Sequence, residues 1–136
     1  MANAKHSGFV ETYLGRRRFL PNINSFDWTL KKFSERCALN TPIQGTAAEI
    51  LKLAIVRILN GLNERPWLKP LLQIHDELVF EILENRLNEA VNFIKKCMEE
   101  KPFDELGATF AFDVPIVVEA SYGRNFGNLK VWEADL

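Results

Sequence analysis

Between Leu71 and Ile82 the chain reads LLQIHDELVFEI, which sets an imidazole and two adjacent carboxylates, His75, Asp76 and Glu77, between apolar runs. Carboxylates are hard oxygen ligands, and Mg²⁺ is bound by one or two of them together with substrate phosphates and waters. Strand on either side makes His75-Asp76 the tip of a β-hairpin, since two residues suffice to join antiparallel strands. Beyond the tip, Glu77, Val79 and Glu81 alternate with Leu78, Phe80 and Ile82, which predicts one buried face and one solvated face. Neighbouring strand residues point to opposite faces, so one of Asp76 and Glu77 is expected to bind a cation directly while the other stays peripheral. Aspartate is also a common turn former that bonds nearby backbone, and spacing alone favours a plain turn over a metal site. The phosphohydrolase type of metal site needs further His and Asp ligands, whereas the only other histidine is His6, close to the start of the chain.

The elements that must position this turn follow from periodicity. GFVETYLG and RRRFLPNI read as strand and loop, bounded by Gly8 and Gly15 and closed by Pro21. From Asp27 to about Asn40, Phe26, Leu30, Phe33 and Cys37 recur as one helical face, with Lys31, Lys32 and Glu35 away from it. Arg36 and Asn40 are four apart and share a side. Pro42 predicts a junction. TAAEILKLAIVRILNGL is a strong helix: Thr46 and Glu49 fit a capping box, or the helix starts earlier with Pro42 in its first turn. Its stripe of Ile50, Leu51, Ala54, Ile55, Ile58 and Leu62, broadened by Leu53 and Val56, suits a helix packed on more than one side. Glu84 to Glu100 is amphipathic, with Leu87, Ala90, Val91, Ile94, Cys97 and Met98 together. TFAFDVPIVVEASYG, residues 109–123, reads as one or two strands. The sum is α+β: a small antiparallel sheet with helices packed on one face, in a single domain over 1–136. Within it lie strand and loop (1–26), helices (27–63), hairpin (71–82), helix (84–100) and strands (109–123).

Bulk composition agrees. The 136 residues are 47% hydrophobic and 26% charged, and a domain near this size buries roughly 68–70% of the surface of its unfolded chain. No apolar run approaches the ~20 residues of a membrane helix, and the polar start MANAKHSG is not a secretory signal. Cys37 and Cys97 are far apart and lack metal-ligand spacing, as expected of buried thiols in a reducing, cytoplasmic compartment. The net charge of −1 hides an asymmetry: residues 1–36 carry seven basic groups against three acids, +4, which leaves −5 for the rest. Such an end permits a local polyanion contact without establishing one.

With these residues in view, a family resemblance emerges. QIHDELVFE resembles motif C of the family A DNA polymerases, the bacterial DNA polymerase I type. GRRRFLPNI is similar to the segment after that family's fingers subdomain, and ERCALNTPIQGTAAEILKLAIVRI to its helical segment before motif C. GRNF is similar to Gly-x-Asn-Trp near the family's C-terminus, with Phe126 in place of Trp. These stretches come in the family's order and span roughly residues 8–127.

The resemblance implies part of a polymerase palm. Asp76 is then a catalytic ligand of Mg²⁺ and Glu77 the adjacent acid with a lesser role. The family's reaction is in-line attack of a primer 3′-hydroxyl on the α-phosphate of a deoxynucleoside triphosphate, assisted by two metal ions. Matching motif positions put Arg36, Asn40, Gln44, Gln73 and His75 along the primer–template DNA. Minor-groove acceptors occur on every base pair, so Arg and Gln donors there test pair shape rather than sequence. Arg16, Arg17 and Arg18 are candidates for phosphate contacts, or a solvated loop.

The family pattern is incomplete within this chain. Motif A, an Asp-Tyr-Ser-Gln-Ile-Glu-like strand with the partner aspartate, is not found, nor is motif B, the fingers helix that grips the nucleotide's phosphates. The expectation is a C-terminal palm portion, either an expressed fragment or one half of a split enzyme, inactive without its complementary N-terminal portion. The alternative is a non-catalytic DNA-binding or structural module on the palm scaffold. A truncated palm would also expose sheet edge and apolar surface, so self-association is expected.

Overall fold

The structure, a computed structural model, describes residues 2–100 and 115–133. Two compact units divide the chain, Met1–Ile50 and Leu51–Leu136. The class is α+β. Instead of one small sheet, the strands form three separate two-stranded antiparallel pairs among the described residues.

The first unit begins with a short helix, α1 (Ala2–Ser7), where the sequence reading has strand and loop over 1–26. Ala4 anchors it, buried with Leu20, Ile23 and Ala38 in a small core that Val10 and Cys37 flank. Strands β1 (Phe9–Glu11) and β2 (Arg17–Phe19) pair in register Phe9↔Phe19 and Glu11↔Arg17. Gly15, at φ 83, supplies the left-handed residue of their connection. Helix α2 (Trp28–Asn40) starts at Asp27, whose carboxylate accepts from the Thr29 and Leu30 amides.

The apolar face read at Phe26, Leu30, Phe33 and Cys37 is not the face that α2 buries. Ser34 and Ala38 are buried, Cys37 is half-buried, and Phe26, Leu30 and Phe33 are exposed. Two small residues let the helix approach its neighbours closely, and that contact sets its rotation. Glu35 meets Lys5 of α1 and Lys32 of its own helix, each at 3.2 Å. Lys32 first, then Lys5, holds its carboxyl below the ordinary glutamate range.

Pro42 does not end the helix. A five-residue π-helical segment, Thr41–Gly45, runs directly from α2 into α3 (Thr46–Asn60). A proline cannot donate to the carbonyl four residues back, and the wider π turn carries the helix past that gap. The capping box is likewise absent. Thr46 lies inside the continuous helix, where its hydroxyl donates to the Pro42 carbonyl and accepts from the Tyr13 amide at 3.0 Å.

In the second unit Leu51, Ala54 and Ile58 are buried, as their spacing predicts, while Val56 is exposed. A 3₁₀ turn, Leu62–Glu64, leads to β3 (Leu68–Ile74), which pairs with β4 (Glu77–Ile82). Another 3₁₀ turn, Glu84–Arg86, opens α4 (Leu87–Glu99), which buries Ala90, Val91 and Cys97. Arg57 donates to the Cys97 and Glu100 carbonyls at 3.3 and 3.0 Å, at the C-terminal end of α4, where the last carbonyls have no intrahelical donor. Burial pushes the Cys97 thiol above its usual range, with Glu100 adding to the effect. Strands β5 (Ser121–Tyr122) and β6 (Lys130–Val131) close the described chain. Of the stretch 109–123 read as strand, 109–114 lie outside the described residues, 115–120 form no helix or strand, and Ser121–Tyr122 is β5. No described helix is long and apolar enough to cross a membrane.

Candidate active site

The hairpin forms where the alternation placed it. Ile74 pairs with Glu77, and His75 and Asp76 make up the turn between them. His75 has φ 54, the only positive φ of a non-glycine among the described residues. The left-handed region costs an L-residue about 1–2 kcal/mol, although His visits it more readily than most. Gln73 steadies the turn, its side-chain amide donating to the His75 carbonyl at 3.3 Å.

Asp76 and Glu77 are exposed. Among the described residues no hydrogen bond or ion pair engages either carboxylate. Nor do three His, Cys, Asp or Glu side chains converge as a metal-ligand set among them. The donor chemistry still suits a hard cation: acceptor-only oxygens, open to solvent, on a tip held by a strand ladder.

The ladder carries an irregularity that periodicity did not reveal. Pro70 pairs with Phe80 but Leu72 pairs with Val79, so Leu71 is an extra residue on β3. A bulge is one of the few places a strand accepts proline. The expected burial of one hairpin face is corrected. Leu78, Val79 and Phe80 are all half-buried in succession, and β3 is exposed after Leu68. A ribbon of two strands gives neither face full cover.

Gln73, His75, Asp76 and Glu77 share the second unit; the other candidates lie in the first. Arg36 and Asn40 are exposed on α2, and Gln44 is exposed in the π segment. Their four-residue spacing keeps them on adjacent turns of one helical surface. The three arginines are already engaged. Arg16 Nε donates to Glu49 Oε1 at 2.9 Å. Arg17 pairs with Glu11 at 2.6 Å and lies over the Phe9 ring at 4.6 Å. Arg18 donates to the Thr41 hydroxyl at 3.4 Å.

Sequence reasoning missed the cluster around Gly45. A Cβ on Gly45 would meet Thr12 Cγ2 at 2.6 Å, so glycine is what lets the end of β1 lie against the π segment. The Gly-Thr pair at 45–46 was the available signal, but its partners are more than thirty residues away in sequence.

Comparison with known proteins bears on this geometry. The profile of DNA polymerase family A matches residues 1–128. DNA polymerase I of Pseudomonas aeruginosa is 43% identical over 126 residues, 92% of this chain and 13% of that protein. DNA polymerase I of Mycobacterium bovis is 38% identical, over 90% of this chain and 13% of its own. The thermostable DNA polymerase I of Thermus filiformis is 40% identical, over 90% and 14%. The chain thus spans about an eighth of the length of these relatives. Among solved structures, the POL domain of Pol1 from M. smegmatis in complex with DNA primer-template and dNTP is similar. It superposes with a TM-score of 0.71 at 35% identity, covering 84% of this chain and 19% of that one.

Proposed function

The chain belongs to DNA polymerase family A, and from that premise we propose that it is a catalytic palm portion of a DNA-directed DNA polymerase. In this reading Asp76 provides one carboxylate of a two-metal nucleotidyl-transfer site. The observation that carries it is the two-residue turn, which strains His75 and leaves the Asp76 carboxylate open to solvent.

Asp76 and, less directly, Glu77 would hold Mg²⁺. When bound, the ion supplies Lewis-acid polarisation and charge neutralisation at phosphate oxygens. The chain's own residues do the rest by positioning. The β3–β4 ladder fixes the carboxylate's height and direction. The bond from Gln73 to the His75 carbonyl holds the turn's backbone. Arg36, Asn40 and Gln44 offer donors to minor-groove acceptors of primer–template DNA. The partner carboxylate comes from outside this chain, because motif A does not lie within the 136 residues, and the grip on the nucleotide's phosphates does too, because motif B is likewise not among them.

Primer extension tests the reading. The isolated chain, given Mg²⁺, primer–template and four deoxynucleoside triphosphates, yields no product. Adding the complementary N-terminal polymerase portion restores synthesis. Robust extension by the chain alone, clear of contaminating polymerase, refutes its inactivity. DNA binding without extension in the mixture supports the non-catalytic module instead.

A further inference from the structure

Arg16 was a candidate phosphate contact, but its surroundings give it another task. Its guanidinium holds Glu49, whose side chain is 8% exposed, at 2.9 Å. The second carboxylate oxygen of Glu49 is buried and has no hydrogen-bond partner among the described residues. A buried carboxylate held on one side only depends heavily on the cation beside it. The Arg16 backbone is fixed as well: its amide donates to the Thr12 hydroxyl at 3.1 Å, and its carbonyl accepts from the Thr12 amide at 3.0 Å.

The β1–β2 connection therefore grips the helix at three successive points. Thr12 fills the space a Cβ on Gly45 would need. The Tyr13 amide holds the Thr46 hydroxyl, which in turn holds the Pro42 carbonyl. Arg16 holds Glu49, three residues further along α3. Between Pro42 and Gly45 lies Gln44. A π turn is less favourable than the α-helix on either side of it, so its shape relies on such outside contacts.

We propose that Arg16 and Glu49 form a positioning pair that clamps the π segment and thereby aims Gln44, and that Arg16 does not serve as a phosphate contact. The proposal rests on the reading of Gln44 as a duplex contact given above.

The two roles of Arg16 predict opposite signs for one isosteric change. Binding of a fluorescein-labelled primer–template duplex to the 136-residue chain is followed by anisotropy across a NaCl series. As a positioning pair, Glu49→Gln weakens binding about fivefold, the scale of one net hydrogen bond, and leaves the salt slope unchanged. Combined with Gln44→Ala, it adds less than its separate effect. Thr46→Val, which removes the hydroxyl relay without altering charge, weakens binding in the same way. Amide hydrogen exchange in α2 of the first unit and in the 71–82 hairpin of the second stays at the wild-type rate in both variants, reporting an intact fold.

As a phosphate contact, Arg16 is instead released by Glu49→Gln and binding tightens, while Arg16→Gln lowers the salt slope by about 0.9. Either result overturns the proposal, as do Glu49→Gln and Thr46→Val variants that bind like wild type. If Gln44→Ala alone binds like wild type, the duplex-contact reading of Gln44 has failed and the positioning role falls with it. Full additivity with a weakened Gln44→Ala leaves that reading standing and removes only the clamp.

Discussion

Ile74 pairs directly with Glu77, which leaves His75 and Asp76 as the whole of the turn. The bulge upstream sets this register. Continued in step from Pro70↔Phe80, the ladder would place Gln73 opposite Glu77 and open a three-residue loop. The extra residue at Leu71 moves every later pair by one, giving Gln73↔Leu78 and Ile74↔Glu77. An irregularity five residues away thus decides that Asp76 is presented from a tight turn. The tightness has a cost, carried by His75 at φ 54.

That cost predicts a trade-off at position 75. His75→Gly removes the Cβ penalty of about 1–2 kcal/mol and adds about 0.5–1 kcal/mol of unfolded-state entropy. The net expectation is a gain of about 0.5 kcal/mol, read as a higher urea midpoint, together with weaker binding of primer–template duplex. A loss of stability in His75→Gly would mean that the turn is not strained.

The Gly45 contact gives a second test. Gly45→Ala forces a methyl against Thr12 Cγ2, and such overpacking costs about 1–3 kcal/mol. Thr12→Ser deletes the offending methyl and keeps the hydroxyl that accepts from the Arg16 amide. The double variant is therefore expected to recover most of the loss in urea denaturation. Equal destabilisation with and without Thr12→Ser would place the cost elsewhere.

Exposed apolar side chains on the hairpin lead to a prediction about association. Leu71 and Leu72 are 55% and 59% exposed, and β3 and β4 pair only with each other among the described residues. Open edges and apolar faces recruit other chains. Sedimentation of the isolated chain is expected to show a mass that rises with concentration, and Leu72→Lys is expected to lower it. A sharp, concentration-independent monomer in the parent chain contradicts this.

The hairpin, α4 and the buried stripe of α3 were legible because their signals are local: alternation on either side of His75-Asp76, and apolar residues at helical spacing in Leu51, Ala54 and Ile58. What escaped was decided by distant partners. Thr46 and Glu49 have the spacing of a capping box, yet Tyr13 and Arg16, 33 residues away in each case, claim both side chains. Pro42 marks a helix end by local rules, but the π segment carries the chain past it. The large apolar residues of α2 outweighed Ser34 and Ala38 in the pattern, although the small pair makes the close contact. As for the candidate site, spacing gave a turn with two acids; the resemblance to a family gave them a metal and a DNA duplex.

If Asp76 supplies one carboxylate of a metal site completed from outside this chain, primer extension by the reconstituted pair depends on that single side chain. The chain and its complementary N-terminal portion are mixed with Mg²⁺, primer–template and deoxynucleoside triphosphates, with Asp76 or with Asp76→Ala. Asp76→Ala is expected to lower the rate ~10³-fold or more, since a lost metal ligand removes several kcal/mol of transition-state stabilisation, while duplex binding stays within about threefold because no base or phosphate donor is lost. An unchanged extension rate in Asp76→Ala would contradict this role of Asp76.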